Sequence, residues 1–313
     1  QNMAYAAGDV ILDDHYNAFV TSLNAMFGAG SADLGYNQTA LASVSAGNTI
    51  AAVNWTNLQA KLKLISTHQG NNGNVTIDSV ANVAAGDDID IIANLATDIG
   101  TLTTSAAAQT NGVGFATAVA SNMTNTSTFV GTGTQINVLA FANSASARSF
   151  FNLGAKVECS WNLSGHTSDA KANGWAAVAA ACGTYQLFGK SSGKTGGSGN
   201  ININQTAKGF HNLSSSELTV FKQFDATSSY TANHIQLTAT LNAAPATAVS
   251  ISLKSIWTDA AADTTNFNKN IYNVQDQVDG TKKTNFSYEA AAVGSIPANY
   301  GTPAWTTGTN SFS

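Results

Sequence analysis

The chain has 313 residues, of which 43% are hydrophobic and only 10% are charged, and its net charge is −5. Ordinary soluble proteins carry about 25% charged residues, so this chain is unusually neutral, although it is apolar enough to build a core. It contains a single arginine, Arg148, and no Lys/Arg cluster of the kind that binds nucleic acid. No apolar stretch has the roughly 18 residues of a membrane span, and we recognise no secretory signal.

The charged residues divide the sequence into three zones. Residues 1–100 carry nine acidic and two basic residues, residues 101–147 carry no charge, and residues 148–313 carry nine acidic and eleven basic residues. We interpret these zones as an acidic helical repeat region (1–100), an uncharged connector (101–147) and a C-terminal β-sandwich domain (148–313).

The N-terminal zone contains an internal repeat. The pattern small-Ala-Gly-(Asp/Asn)-x-Ile occurs at 6–11, 45–50 and 84–89, so its glycines lie 39 residues apart. Gly followed by Asp or Asn is typical of a turn, and each turn precedes apolar residues at helical spacing. The three stripes are Tyr16, Phe19, Leu23 and Met26; Trp55, Leu58, Leu62 and Ile65; and Ile92, Leu95, Ile99 and Leu102. A helix with one apolar stripe cannot bury it alone, so we expect a small bundle or packing against another chain.

The connector consists mainly of Thr, Ser, Ala, Asn and Gly, with short β-like pieces such as 135–139. Long structureless loops are uncommon inside compact domains, so we expect another copy of the chain or a neighbouring protein to cover its apolar residues. We interpret Tyr16 and Trp55 as core anchors rather than a binding surface. The full set of assembly or packing candidates is Tyr16, Phe19, Trp55, Leu58, Leu62, Phe115, Phe129 and Phe141.

The C-terminal zone changes to a period of two. Apolar and polar residues alternate in 156–163, 235–241 and 249–253, which predicts half-buried strands, and Phe286 and Tyr288 predict another. One helix is predicted between Ser168, as its N-cap, and Gly183. The expected fold class is α+β, with repeated short amphipathic helices followed by a jelly-roll-like β-sandwich that carries one helix.

The sequence contains no recognisable catalytic or metal-binding motif. No two of the five histidines lie three to five residues apart, and the glycines and lysines of 189–195 lack the spacing of a phosphate loop. We interpret 276–280 as a hairpin turn rather than a calcium loop, and Cys159 and Cys182 as buried thiols. We therefore predict no enzymatic activity, no cofactor and no metal.

Several segments resemble virion structural proteins of marine tailed phages, namely cyanophages and pelagiphages of the T4-like myovirus type. The resemblance covers most of residues 5–80 and 148–310, but not the connector. It is carried by 33–38 (Asp-Leu-Gly-Tyr-Asn-Gln), 44–50, 55–58, 68–70, 161–165, 168–171, 174–175, 230–237 and 278–281. These motifs resemble turns and core positions of that family rather than an active site.

The resemblance implies a bacteriophage virion protein of the neck, tail, baseplate or capsid, as a fibre or decoration component. Its expected location is the virion, and its expected partners are copies of itself and other virion proteins, with a host-surface glycan as a further candidate. Gln1 is consistent with proteolytic maturation. The alternative is a secreted or surface carbohydrate-binding module or adhesin, whose tryptophans would stack on sugars. A glycan depolymerase is disfavoured because no carboxylate pair is evident.

Overall fold

The computed structural model describes residues 13–30, 32–70, 75–76, 92–198, 201–226, 230–261, 277–292, 294 and 296–313. They form an α+β fold with helices mostly in the N-terminal part and two antiparallel sheets in the C-terminal part, which confirms the predicted fold class. Contacts within the chain define two units. The helical unit comprises Gln1–Ala116, Ala145–Ala155 and Ala290–Gly301, and the sandwich unit comprises Thr117–Ser144, Lys156–Glu289 and Thr302–Ser313.

The helices of the first unit are α1 (Asp13–Phe27), α2 (Ala52–Gln69), α3 (Ile92–Ala107) and α4 (Ser144–Asn152). The predicted stripes form its core, since the stripe residues of α1 and α2 and Leu95, Ile99 and Leu102 of α3 are all buried. The side chain of Ile92 lies outside the described residues. The repeated turns at 6–11 and 84–89 also lie outside them, whereas the middle copy turns at Gly47, with Asn48 N–H donating to Ser45 O.

The segment 33–38, which carries part of the phage resemblance, folds back on the end of α1. The N–H groups of Tyr36, Asn37 and Gln38 donate to carbonyl oxygens of residues 26–28 over 2.8–2.9 Å. Gly35 has a φ of +107°, and a Cβ there would lie 2.9 Å from the Gly30 backbone, so this position requires glycine. The motif is therefore structural.

Two distant segments complete the helical unit. Arg148 in α4 donates to the carbonyl of Gly30 over 2.7 Å. Asn37 and Asn299 donate to each other's backbone carbonyls over 2.9 and 3.1 Å. The predicted boundary near residue 148 is therefore wrong, because it falls inside α4 and the helical unit extends beyond the first hundred residues.

The sandwich unit contains two sheets. Their strands are β1 (Val119–Asn125), β2 (Thr132–Ala140), β3 (Lys156–Ser164), β4 (Thr184–Leu187), β5 (Ser192–Thr195), β6 (Ile201–Asn204), β7 (Leu218–Phe224), β8 (His234–Leu241), β9 (Ser250–Thr258), β10 (Thr281–Glu289) and β11 (Ala304–Phe312). One sheet has the order β1-β10-β3-β4-β5 and the other has the order β11-β2-β9-β8-β7-β6. The predicted helix is α5 (Ala170–Cys182), whose N-cap is Asp169 rather than Ser168.

The prediction of a connector at 101–147 is wrong. These residues form the end of α3, the strands β1 and β2, and the start of α4, and β2 pairs with β9 on one side and β11 on the other. The inward side chains of β2 include Gln135 and Asn137, which are fully buried, whereas Ile136 and Val138 are half-buried on the other face. The sequence predicts a β-like piece at 135–139, but this inversion of the usual pattern hides its place as a nine-residue strand of the sandwich.

A hydrogen-bonded network explains how polar residues occupy the interior. Gln135 in β2 donates to the carbonyl of Met123 over 3.0 Å and accepts from the hydroxyl of Thr284 at 2.5 Å. Trp161 in β3 donates to the hydroxyl of Ser255 in β9 over 2.8 Å. Each bond joins one sheet to the other, so the network both satisfies buried polar groups and fixes how the two sheets align.

Candidate assembly edge of the β-sandwich

The strands β1 and β11 are edge strands of the two sheets and lie beside each other on one side of the sandwich. We call residues 119–125 and 304–312 the β1–β11 edge. Neither segment contains a charged residue or a proline. Natural proteins normally protect such edges with charges, prolines, bulges or short strands, because unpaired backbone groups are a template for another chain. The only such feature here is a register shift in β11 between Thr307 and Asn310.

The opposite side of the sandwich is built differently. Its edge strands, β5 and β6, have four residues each. Ser192 at the start of β5 donates its N–H to Thr206 O over 2.9 Å and its hydroxyl to Gln205 O over 2.8 Å, which joins that strand to the segment after β6. The β1–β11 edge has longer strands, and β11 is its outer strand, because the carbonyls of Val119, Met123 and Thr124 in β1 already accept from side chains of β2 and β11.

Side-chain hydrogen bonds hold β1 and β11 together. Asn310 donates to the carbonyl of Thr124 over 2.8 Å, and Asn125 donates to the carbonyl of Asn310 over 3.3 Å. Near the other end, the indole of Trp305 donates to the carbonyl of Val119 over 3.1 Å. These bonds cross from sheet to sheet, so the edge is a preorganised surface rather than two independent strands.

A buried lysine anchors one end of this edge. Lys282 is fully buried, and its ammonium donates to the carbonyls of Ser127 at 2.5 Å and Gly280 at 2.8 Å. The ammonium also lies over the rings of Phe129 and Phe312, at 5.7 and 5.5 Å from their centroids. Burial lowers the pKa of Lys282. Nothing in its residue type marks Lys282 as buried, and the only signal in the sequence is its register with Phe286, which places it on the inward face of β10.

The outer strand of the edge has the features needed for strand addition. β11 pairs with β2 along one side, and no strand among the described residues pairs with its other side. Its side chains are exposed on both faces except at Trp305 and Phe312, which are half-buried. Such a strand can pair with a further strand through backbone hydrogen bonds. This kind of binding requires no acidic, basic or nucleophilic side chain.

Most of the predicted assembly or packing candidates lie elsewhere. Tyr16, Phe19, Trp55, Leu58 and Leu62 are buried in the helical unit, and Phe129 and Phe141 are buried in the sandwich unit. Phe115 is 43% exposed and pairs through its backbone with Ala291 in the helical unit. Phe129 is the candidate nearest the β1–β11 edge, through its contact with Lys282.

Other kinds of site find little support in the described part of the chain. No three His, Cys, Asp or Glu side chains there come together in a way that could hold a metal ion. Trp161, Trp175 and Trp257 are buried, and Trp305 is half-buried. Among the described helices, none is long and apolar enough to cross a membrane.

Comparison with protein-family models, with curated proteins and with solved structures finds no match to this chain. The β1–β11 edge and the sequence resemblance are therefore the two indications of function.

Proposed function

We propose that this protein is a structural component of a bacteriophage virion that assembles with further copies of itself through the β1–β11 edge. The observation that carries the proposal is the contrast between two uncharged edge strands of seven and nine residues and the four-residue strands on the opposite side. Such an edge suits a protein that assembles by strand pairing, whereas a protein that remains monomeric is expected to protect it.

The resemblance to virion structural proteins supports the phage part of this proposal. The neck, the tail, the baseplate and a capsid fibre or decoration all remain candidate positions. The segments that carry the resemblance include 33–38, whose backbone closes on α1, and 161–165, which lies at the end of β3. Their roles are in folding, which suits a protein that acts by presenting surfaces to its neighbours.

The apolar residues of 101–147 give no support for assembly. We expected a neighbouring copy to cover the apolar residues of 101–147, but Phe129, Leu139 and Phe141 are buried by their own chain. Val119 at the start of β1 remains 44% exposed. Assembly is therefore proposed from the β1–β11 edge and not from the composition of this segment.

The alternative of a carbohydrate-binding module gains no specific support. Sugar rings stack on exposed aromatic faces, and three of the four candidate tryptophans are buried against other aromatic rings. The fourth, Trp305, is half-buried and uses its N–H to hold β1.

The test measures self-association of the purified chain by sedimentation velocity over a range of concentrations. The variants Thr306→Lys and Ser311→Lys each place a charge on an exposed position of β11. The matched control, Asn202→Lys, places the same charge on β6, the opposite edge strand of the same sheet. Wild type and control should associate alike, and the two β11 variants should remain monomeric.

A wild-type protein that stays monomeric at high concentration, or β11 variants that assemble as well as wild type, would contradict the edge assignment. Mass spectrometry of purified virions tests the location separately, because the chain should be found there in stoichiometric amount. Specific binding on a glycan array would instead favour the carbohydrate-binding alternative.

A further inference from the structure

A buried ion pair lies inside the sandwich unit. Lys171 is the second residue of α5, and Asp259 directly follows β9. The Lys171 Nζ and Asp259 Oδ2 atoms are 2.7 Å apart, and each side chain is only 1% exposed. Removing two ions from water costs several kcal/mol for each, and their attraction offsets this cost only in part. Replacing both charges with a neutral group would therefore remove the uncompensated part of this desolvation cost.

The surroundings of the pair are aromatic. Trp175 lies one helical turn after Lys171, Trp257 lies two residues before Asp259, and both indoles are buried. Their ring centroids are 5.7 Å apart. The Lys171 ammonium also lies 5.9 Å from the ring centroid of Tyr230. Aromatic walls exclude water, and a buried ammonium gives up its proton more readily than an exposed one.

Lys171 lies in the first turn of α5, at the positive end of the helix dipole, which stabilises anions rather than cations. Asp169 caps this turn by accepting from the N–H of Ala172 over 2.7 Å. The cap fixes the helix start, and with it the point from which the Lys171 side chain extends.

The backbone around Asp259 is held equally firmly. Its N–H donates to the carbonyl of Gly131 over 2.7 Å. The side-chain oxygen of Asn233 accepts from the next two N–H groups, those of Ala260 and Ala261, each over 2.8 Å. A further buried carboxylate, Asp225, belongs to the same corner, because its N–H donates to the Asn233 carbonyl over 2.9 Å. Amine and carboxylate therefore meet in a fixed geometry, which is the condition under which intramolecular reactions become fast.

We propose that Lys171 and Asp259 join covalently, as an isopeptide bond between Nζ and Cγ. The amine nitrogen attacks Cγ, the C–Nζ bond forms, and one C–O bond of the carboxylate breaks. Of the three ammonium protons, one stays on the amide nitrogen and two leave with the departing oxygen as water. The step needs no oxidant or cofactor, and it replaces two buried charges with one neutral amide.

An exposed ion pair of the same unit provides a matched comparison. Lys254 Nζ lies 3.1 Å from Glu217 Oε1, but the two side chains are 30% and 46% exposed. Water stabilises both ions at that position, so nothing favours the neutral amide. The reaction should therefore be favoured at Lys171 and Asp259 and absent at Lys254 and Glu217.

The test is the intact mass of the purified, denatured full-length chain. It should be lower than the sequence mass by one water molecule. A tryptic digest should contain a branched peptide that joins residues 157–190, uncleaved after Lys171, to residues 255–269. The variant Lys171→Met should restore the full mass expected for its sequence, whereas Lys254→Met should retain the loss of water.

Two results would overturn the proposal. One is a wild-type mass equal to that of the sequence after prolonged incubation of the folded protein. The other is a loss of water that persists in Lys171→Met, which would place it elsewhere, for example in a succinimide at Asp279–Gly280. If Lys171→Met does not fold, the branched wild-type peptide still decides the question, because fragment ions locate its cross-link directly.

Discussion

The indole N–H of Trp161 in β3 donates to the hydroxyl of Ser255 in β9 over 2.8 Å, across the interior of the sandwich. The hydroxyl of Thr284 lies 3.1 Å from the same Ser255 oxygen and donates to Gln135. Trp161 also stacks on Phe221, with ring centroids 5.4 Å apart. Polar and aromatic contacts thus meet at the same point between the sheets, so each sheet constrains the other.

Replacing Gln135 with Leu should destabilise the protein by about 1–3 kcal/mol, because the Met123 carbonyl and the Thr284 hydroxyl each lose a buried partner. Denaturant unfolding of the full chain measures the change. The control is Gln236→Leu, at a half-buried position where the amide donates to the Thr219 hydroxyl over 3.0 Å. Equal effects of the two substitutions would show that the interior network contributes no more to stability than a half-buried hydrogen bond does.

Replacing Trp55 with Ala should cost about 3–5 kcal/mol, as for other large buried aromatics. Trp55 is 1% exposed and lies edge-on to Tyr16 and Phe19, at 5.3 and 6.5 Å between ring centroids. Val53→Ala is the control, because Val53 is 60% exposed. The measurement requires the full chain, since the helical unit includes segments far beyond α3. An unchanged unfolding curve for Trp55→Ala would contradict the core assignment.

A fragment of residues 148–313 should not form the sandwich, although the sequence alone predicts that it folds. The fragment lacks β1 and β2, and without β2 the strands β9 and β11 lose their shared neighbour. Circular dichroism and thermal melting test this expectation. A cooperative, β-rich unfolding transition of the fragment would show that β2 is dispensable.

The stability of the helical unit should fall as the pH drops below about 6.5, the ordinary pKa of histidine. His68 is 1% exposed, and its burial lowers the folded-state pKa, so the unfolded chain binds the proton more readily. Its Nε2 lies 3.1 Å from the Leu153 carbonyl, whereas Nδ1 has no hydrogen-bond partner among the described residues. Neutral His68 therefore contributes its full stabilisation at pH values above its unfolded-state pKa. As the pH falls below that value, the unfolded chain binds the proton more tightly, and this stabilisation is lost.

Unfolding free energies at about pH 7.5 and about pH 5.5 measure this loss. His68→Gln keeps a donor for the Leu153 carbonyl but cannot titrate, so it should lose less stability on acidification than wild type. His234 in the sandwich unit also has a pKa lowered by burial, so part of the wild-type effect should remain. His166→Gln, at a half-buried loop position, is the control. An identical pH dependence in wild type and His68→Gln would contradict the assignment.

The sequence predicts those parts of the fold whose burial follows a simple period. The structure contains the helical stripes and the strands β3, β8, β9 and β10, and the predicted apolar residues of these strands are buried. For β2 the sequence suggests only a short β-like piece at 135–139, and not its inward face, because Gln135 and Asn137 point inward and depend on partners in distant strands. The β1–β11 edge was missed for a related reason, since side chains of β11 that are exposed on both faces leave no periodic pattern.

The mutual hydrogen bonds of Asn37 and Asn299 have a consequence for the synthesis of this protein. A ribosome makes α1, α2 and α3 early, but the residues that complete their unit include Ala290–Gly301, which lie far later in the sequence. The sandwich likewise needs Thr302–Ser313, which include its outermost strand. Neither unit can reach its final form before these late segments have been synthesised, so the two units are completed at nearly the same stage. The proposed assembly edge therefore forms only after the other described strands have been made.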